Sequence, residues 1–177
     1  MRLNCGQNYT FAPPRTVPKM SIFRKWSGNV PDYQNLSLSE WQHRTNAALS
    51  WLQRSIAATG GKGSSHSYSP VFGWQKAYPE TTGYLIETLF DYADLTQNNT
   101  LRELAFQCAD WLVSIQLPGG AFPGLLAGNT KPSIFNTSQI LFGLARALEE
   151  DTGRVKPRHA LRKAVEWLVS QLEPDYS

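Results

Sequence analysis

A short stretch of the sequence combines a carboxylate, an imidazole and several aromatic rings, which together could bind and process a sugar. Glu80 closely follows Trp74 and Tyr78, and His66 precedes them in a segment rich in glycine and serine. Aromatic faces stack on sugar rings, and polar side chains form hydrogen bonds with hydroxyl groups. A carboxylate among aromatic rings can serve as general acid or base, and a histidine as a base. We therefore predict a carbohydrate site in which Glu80 and His66 are catalytic.

The same residues also have structural explanations. A glutamate in the first turn of a helix stabilises the helix dipole, which fits Glu80, and a loop histidine such as His66 is most often simply solvated. Asn136 and Gln139 share a helical face and offer amide groups to a substrate. Asn136 with Thr137 also predicts a helix cap. Both interpretations are open for each residue.

The elements that must position these residues are predicted to be helices that repeat along the chain. A small residue, two spacers, Trp and Leu recur at Trp51, Trp111 and Trp167, with the tryptophans 60 and 56 residues apart. Each copy lies in an amphipathic pattern, which predicts outer helices with one wet face. We expect the three tryptophans to face inward, against inner helices.

Two segments between the outer helices, 80–95 and 136–149, are apolar on almost every side. A helix with this pattern is surrounded by protein. We therefore predict an all-α fold in which stacked antiparallel helical hairpins form part of an (α/α) toroid, with outer-to-inner loops and inner-helix starts on one face.

Composition limits the function classes. The chain has 177 residues, and its formal charge of +3 is scattered and too weak to indicate a nucleic-acid partner. No apolar run approaches the ~20 residues that span a bilayer, and no secretory signal is visible. Two cysteines fit a reducing compartment, so we expect a cytoplasmic protein without a membrane span. Four prolines within 1–38 predict an irregular N-terminal extension before a helical domain at 39–177.

No motif indicates a metal or an organic cofactor, and we expect neither. The sequence lacks a P-loop and a dinucleotide fingerprint. Cys108 lies on the predicted core face of its helix, which indicates packing rather than zinc binding. Glu87 and Asp91 share a helical face, where they can divide acid and base roles or hold a metal, but ion pairs with a neighbouring helix are the expected use.

Several motifs resemble those of the α/α-toroid superfamily, which includes terpene cyclases, protein prenyltransferases and polysaccharide-active enzymes. They are the repeated Trp-Leu, Gln116, the pair Gly119-Gly120, and Phe122. The string from Tyr78 to Tyr84, Tyr-Pro-Glu-Thr-Thr-Gly-Tyr, looks like that of a poorly characterised bacterial toroid family linked to polysaccharide synthesis. The resemblance implies a carbohydrate-active protein of the hydrolase, lyase or epimerase-like kind. The predicted substrate-binding residues are Trp74, Tyr78, Tyr84, Asn136 and Gln139.

Two other functions are open: an isoprenoid cyclase or prenyltransferase-like enzyme, and a non-catalytic module that binds glycan or protein. A cavity with polar groups and aromatic rings favours sugar, and one with only aromatic and aliphatic side chains favours an isoprenoid. A cavity that no carboxylate faces favours the binding module. Complete toroids contain more hairpins than this sequence supplies, so we expect a missing C-terminal half or a homodimer.

Overall fold

A computed structural model of the chain describes residues 36–172, which form five helices and one short hairpin. The helices are α1 (Leu38–Ala58), α2 (Pro79–Thr96), α3 (Asn99–Ser114), α4 (Ile134–Glu150) and α5 (Val155–Val169). The antiparallel strands are β1 (Tyr68–Ser69) and β2 (Gly73–Trp74). The predicted all-α class is confirmed. None of the helices within 36–172 combines the length and hydropathy that crossing a membrane requires.

The described residues belong to two units that divide after Ala47, inside α1. In the first, residues 36–47, the start of α1 is a capping box, because Ser37 N donates to Glu40 Oε2 at 2.8 Å and Glu40 N donates to Ser37 Oγ at 3.3 Å. The hydrogen bonds from the side chain and the backbone of Ser37 lower the pKa of Glu40. The predicted extension, 1–38, lies almost entirely outside the described residues.

In the second unit, residues 48–172, α2 packs against α3 and α4, and α4 packs against α5. Short turns join α2 to α3 and α4 to α5, so each of these pairs is an antiparallel hairpin. At the first turn, Gln97 adopts a left-handed conformation with φ of 50°, and the Asn98 side chain caps α3 by accepting a hydrogen bond from Thr100 N at 3.0 Å. These two pairs correspond to hairpins of the predicted kind.

Two glycines allow the backbones of α2 and α4 to touch. A Cβ atom at Gly83 would lie 2.9 Å from Ile140 Cα, and one at Gly143 would lie 2.4 Å from the Gly83 carbonyl oxygen. Both distances are too short for real atoms, so any larger residue would force the two helices apart. The helices that were predicted to form the inner layer are therefore in direct contact.

A core of apolar side chains fills the space between the helices. Its largest fully buried members are Phe90, Phe122, Ile56, Ile86, Leu89, Leu112, Ile140 and Leu144. Cys108 is fully buried in this core, where desolvation raises the pKa of its thiol to about 12. Its predicted packing role is confirmed.

The three repeated tryptophans differ in their surroundings. Trp111 packs against the core and touches the loop after α1, since a Cβ at Gly63 would lie 2.4 Å from its ring. Trp167 is half-buried. Trp51 is 42% exposed, and its ring packs on Trp74 with centroids 4.9 Å apart. The inward-facing prediction is confirmed for Trp111 and wrong for Trp51, which meets a loop hairpin instead of the core.

The helix α4 differs from its prediction at its start and on one flank. It begins at Ile134, and its cap is Ser133, whose hydroxyl accepts from Asn136 N at 3.2 Å. The prediction of Asn136 as the cap is therefore wrong, because the hydroxyl three residues earlier already serves that purpose. Phe135 and Phe142 are 57% and 55% exposed, so α4 is not surrounded by protein within the described residues.

The two loops that lead into α2 and α4 are anchored in the same way by a buried threonine. Thr82 Oγ1 accepts from Ser64 N at 3.0 Å, and Thr137 Oγ1 accepts from Phe122 N at 2.9 Å. Both hydroxyls also donate to the carbonyl oxygen four residues earlier in the chain, at 2.8 Å and 2.7 Å. The same hydrogen bonds thus occur in both copies of the sequence repeat, and they fix the position of each loop relative to the helix that follows it.

Candidate functional site

The loops before α2 and α4 lie against each other, and residues of both loops line an open groove. Ala127 N donates to Ala77 O at 2.8 Å, which joins the two loops directly. We call the adjacent space the inter-loop groove; its volume is about 640 Å³. Its lining residues are His66, Lys76, Tyr78, Leu125, Leu126, Ala127, Gly128, Asn129 and Lys131.

A second groove, which we call the helix groove, lies between the end of α1 and the start of α2 and has a volume of about 380 Å³. Ser65 N donates to Ser55 Oγ at 2.9 Å, and this bond ties the loop to α1 beside the groove. His66 lines both grooves. The residues that line the helix groove are Trp51, Leu52, Ser55, Ser64, Ser65, His66, Thr81, Tyr84, Leu85 and Thr88.

An aromatic cluster stands beside the helix groove. The Trp74 ring packs between those of Trp51 and Tyr68, with centroid separations of 4.9 Å and 5.0 Å. The hairpin of β1 and β2 brings Tyr68 and Trp74 together, because these residues are paired across its strands. Trp74 is half-buried and Tyr68 is 53% exposed. The predicted substrate-binding residue Trp74 therefore belongs to a small platform of three rings.

Glu80 connects two tyrosines that line different grooves. Tyr78 lines the inter-loop groove and Tyr84 the helix groove. Burial, followed by the negative charge of Glu80 and a hydrogen bond with its carboxylate, raises the pKa of both phenols. The ring of His66 packs edge-on against that of Tyr78, with centroids 5.2 Å apart. The structure thus brings together His66, Tyr78, Glu80 and Tyr84.

Glu80 itself is half-buried and is not among the residues that line either groove. Pro79 is the first residue of α2, and Tyr78 at the cap position makes no side-chain capping bond. The carboxylate of Glu80 therefore lies in the first turn, near the positive end of the helix dipole, as predicted. Its position fits helix support and contact with the two tyrosines equally well.

Asn136 and Gln139 are not brought to either groove. Asn136 is 4% exposed; its Nδ2 donates to Pro123 O at 3.2 Å, and its Oδ1 accepts from Ser133 Oγ at 3.2 Å. Gln139 is half-buried, and its backbone carbonyl lies at the close contact with Gly83. The amide of Asn136 is occupied within the protein, and a substrate-binding role for these two residues stays a prediction.

The site contains two lysines that the sequence analysis missed. Lys76 and Lys131 both line the inter-loop groove. His66 N donates to Lys76 O at 2.9 Å, and Gly124 N donates to Lys131 O at 2.9 Å, so the two lysines occupy equivalent positions in the two loops. A signal was present, since each lysine is the third residue before its inner helix.

One residue of the inter-loop groove has an unusual backbone. Leu125 has a φ of 59° and is 67% exposed. The left-handed conformation is rarely adopted by residues other than glycine and asparagine, and such strain is often found at functional sites. The turn that holds it is stabilised by Asn129, whose Nδ2 donates to Gly124 O at 2.7 Å and whose Oδ1 accepts from Lys131 N at 3.1 Å.

The other end of α2 and α4 carries a network of ion pairs. Arg146 contacts Asp91 at 3.3 Å, Asp94 at 3.2 Å and Glu150 at 2.9 Å, and Arg102 pairs with Asp94 and Glu150. The prediction that Asp91 pairs with a neighbouring helix is confirmed. Across the described part of the chain, no three His, Cys, Asp or Glu side chains are grouped closely enough to hold a metal ion.

Comparisons of the chain with protein-family models, curated proteins and solved structures found no match. The features that bear on function are therefore those of the molecule itself. They are the two grooves, the ring platform at Trp74, the linkage of Glu80 to Tyr78 and Tyr84, and the paired lysines.

Proposed function

We propose that this chain is a carbohydrate-active protein that binds a glycan in the inter-loop groove. The observation that carries the proposal is that one open groove presents an imidazole, a phenol and two ammonium groups, from His66, Tyr78, Lys76 and Lys131. The ring contact between His66 and Tyr78 keeps an aromatic surface next to these polar groups. This mixture suits a sugar ring, which has a weakly apolar face and a rim of hydroxyl groups.

The alternative of an isoprenoid substrate is less well supported by the same groove. An isoprenoid chain is apolar, and its binding would remove water from Lys76, Lys131 and the Tyr78 hydroxyl without replacing those hydrogen bonds. Burial of polar groups without partners costs about 1–3 kcal/mol each in protein mutational data. Leu125 and Leu126 supply apolar surface, but they share the groove with these polar groups.

Binding without catalysis is favoured over an enzyme, because no carboxylate lines either groove. A catalytic role for Glu80 and His66 is the second candidate. It is favoured by the proximity of the Glu80 carboxylate to Tyr78, whose pKa its charge raises and which lines the same groove as His66. In that case Glu80 would exchange its proton with the substrate through Tyr78.

Glu80→Gln separates these two candidates. If Glu80 is catalytic, the variant keeps its fold and glycan binding but loses turnover, because the amide cannot exchange a proton. If Glu80 supports the helix end, the free energy of unfolding falls by roughly 0.3–1 kcal/mol and binding is unchanged. A thermal melt, a binding titration and an assay for newly released sugar ends distinguish the outcomes.

We also infer that the repeated hairpins are part of an (α/α) toroid. The inference is supported by the alternation of inner and outer helices and by the equivalent loop anchors at Thr82 and Thr137. It is further supported by the loops after the outer helices. A Cβ at Gly63 would overlap Trp111 of the next outer helix, and one at Gly120 would lie 2.5 Å from Lys163 O of the following one. Each repeat thus contacts the next in the same manner.

The binding proposal is tested by titrating the full chain with a panel of oligosaccharides. Tyr78→Ala is compared with Tyr84→Ala, a matched control, since both phenols contact Glu80 but line different grooves. We expect Tyr78→Ala to weaken binding by about threefold to tenfold, the range of one lost aromatic contact, and Tyr84→Ala to leave it unchanged. The reverse result would move the site to the helix groove, and a chain that binds no oligosaccharide would contradict the proposal.

A further inference from the structure

The inter-loop groove carries positive charge that no carboxylate among its lining residues neutralises. Lys76 and Lys131 are both exposed side chains of this groove, and neither forms an ion pair within residues 36–172. By contrast, Arg102, Arg146 and Arg154 are all paired with carboxylates. The two ammonium groups are therefore available to a ligand, and what sets them apart is that both line one groove.

The internal repeat explains why the two lysines are near one groove. The backbone carbonyl of each lysine accepts an equivalent hydrogen bond within its own loop, from His66 N to Lys76 O and from Gly124 N to Lys131 O. The bond from Ala127 N to Ala77 O then holds the two loops side by side. Two copies of one structural position thus supply the positive charge.

The Glu80 carboxylate does not line the groove, although it lies close to one of the lining residues, Tyr78. Its negative charge raises the pKa values of Tyr78 and Tyr84, and Tyr78 lines the groove. Leu125, Leu126 and Ala127 supply apolar surface to the same groove. An anion that enters the groove therefore meets two ammonium groups, an imidazole, a phenol and apolar side chains.

We propose that the groove selects an acidic glycan and places an anionic substituent of one sugar unit between Lys76 and Lys131. This inference rests on the proposed function, because it names the class of glycan that the same groove binds. The sugar ring contacts Tyr78 and His66, and the lysines bind the anionic group as point charges with hydrogen-bond donors. The shared chemistry is a carboxylate or a sulfate ester attached to a sugar.

The test is a set of titrations of the full chain with four ligands of equal length. They are a neutral oligosaccharide, a uronic-acid oligosaccharide, a sulfated oligosaccharide and poly-glutamate as an anion without sugar. We expect at least one acidic oligosaccharide to bind about tenfold or more tightly than the neutral one, and this preference to shrink as sodium chloride is added. The uronate and sulfate arms then identify which anionic group is preferred.

The variants are Lys76→Gln, Lys131→Gln and the double variant, with Lys163→Gln as the matched control. Lys163 is exposed on α5 and lines neither groove. We expect each single groove variant to weaken acidic-glycan binding by about threefold to tenfold, and the control to leave it unchanged. Thermal melts of all variants verify that each one is folded.

The outcomes separate the two proposals. Equal binding of neutral and acidic oligosaccharides, or acidic binding that the double variant keeps, overturns the acidic-glycan inference and leaves glycan binding in place. Poly-glutamate that binds as tightly as the acidic oligosaccharides shows general attraction of anions and also overturns the inference. Failure to bind any oligosaccharide overturns the proposed function itself.

Discussion

The ring of His66 packs edge-on against the ring of Tyr78, with centroids 5.2 Å apart, and this contact joins a loop histidine to the start of α2. The contact depends on the backbone bonds from Tyr78 N to Ser64 O and from His66 N to Lys76 O, both at 2.9 Å. Because these bonds close the loop on itself, they hold the backbones of the two residues side by side. The site is therefore held by the same hydrogen bonds that begin the helix.

The first prediction concerns the two tyrosines next to Glu80. Burial and the Glu80 carboxylate raise the pKa of Tyr78 and of Tyr84. We expect Glu80→Gln to lower both pKa values toward the ordinary value for tyrosine, because the negative charge and the hydrogen bond to it are removed. The measurement is the phenolate absorbance of the folded chain as a function of pH, with Glu103→Gln on α3 as the control.

The sign of the linked change in stability follows from these shifts. A phenol whose pKa is raised on folding does not affect the free energy of unfolding below its unfolded pKa near 10, because it is protonated in both states. Above that pH the unfolded state releases its proton more readily, so the free energy of unfolding falls as the pH rises. Glu80→Gln should therefore reduce the loss of stability above about pH 10. Identical alkaline unfolding curves for the wild type and the variant would contradict the linkage.

The second prediction concerns the buried threonines that anchor the loops. Thr82→Val leaves Ser64 N without its acceptor, and Thr137→Val does the same to Phe122 N. Leaving a buried donor unsatisfied costs about 1–3 kcal/mol, so we expect each variant to lose stability by that amount in denaturant unfolding. Thr130→Val, at an exposed loop position, should change the free energy of unfolding by less than about 0.5 kcal/mol. A loss no larger than that of the control would refute the anchoring role.

The repeat and the helices were predictable because their signals are local. The segment 80–95 is apolar at helical spacing, and Pro79 fixes its start, which agrees with α2 at Pro79–Thr96. The start of α4 was predicted too late, because Asn136 was predicted as the cap and Ser133, three residues earlier, was not considered. Ser133 and Asn136 both favour caps, and only the backbone conformation decides that Ser133 is used.

The groove was less predictable, since it depends on contacts between distant residues. Tyr78, Glu80 and Tyr84 are close in sequence, so their proximity at the start of one helix follows from local geometry. The meeting of Ala77 with Ala127 depends on how two loops pack after the helices have formed, and no local pattern signals it. Lys76 and Lys131 were missed because each lysine alone resembles an ordinary solvated residue, although both lie three residues before an inner helix.

The third prediction separates the tryptophans. Trp111 packs against the core beside Gly63, and we expect Trp111→Ala to lower the free energy of unfolding by about 3–5 kcal/mol. Trp51 is 42% exposed and rests mainly on Trp74. We expect Trp51→Ala to cost only about 1–2 kcal/mol, for a partly buried ring and one aromatic contact. Chemical denaturation measures both values. Equal losses would contradict the prediction and show that Trp51 contributes as much to the free energy of unfolding as Trp111.

The last prediction concerns the open flank of α4. Phe135 and Phe142 are two helical turns apart, so they lie on the same face, and they are 57% and 55% exposed. Large apolar surfaces of this kind usually find a partner or cause aggregation. We therefore expect the chain to self-associate, and we expect Phe142→Glu to raise the monomer fraction in light scattering at constant protein concentration. Val155→Glu is the control, because Val155 is 76% exposed on α5 and does not belong to this face. A wild-type chain that stays monomeric and binds little hydrophobic dye would contradict the prediction. An association that Phe142→Glu leaves unchanged would move the contact to another surface.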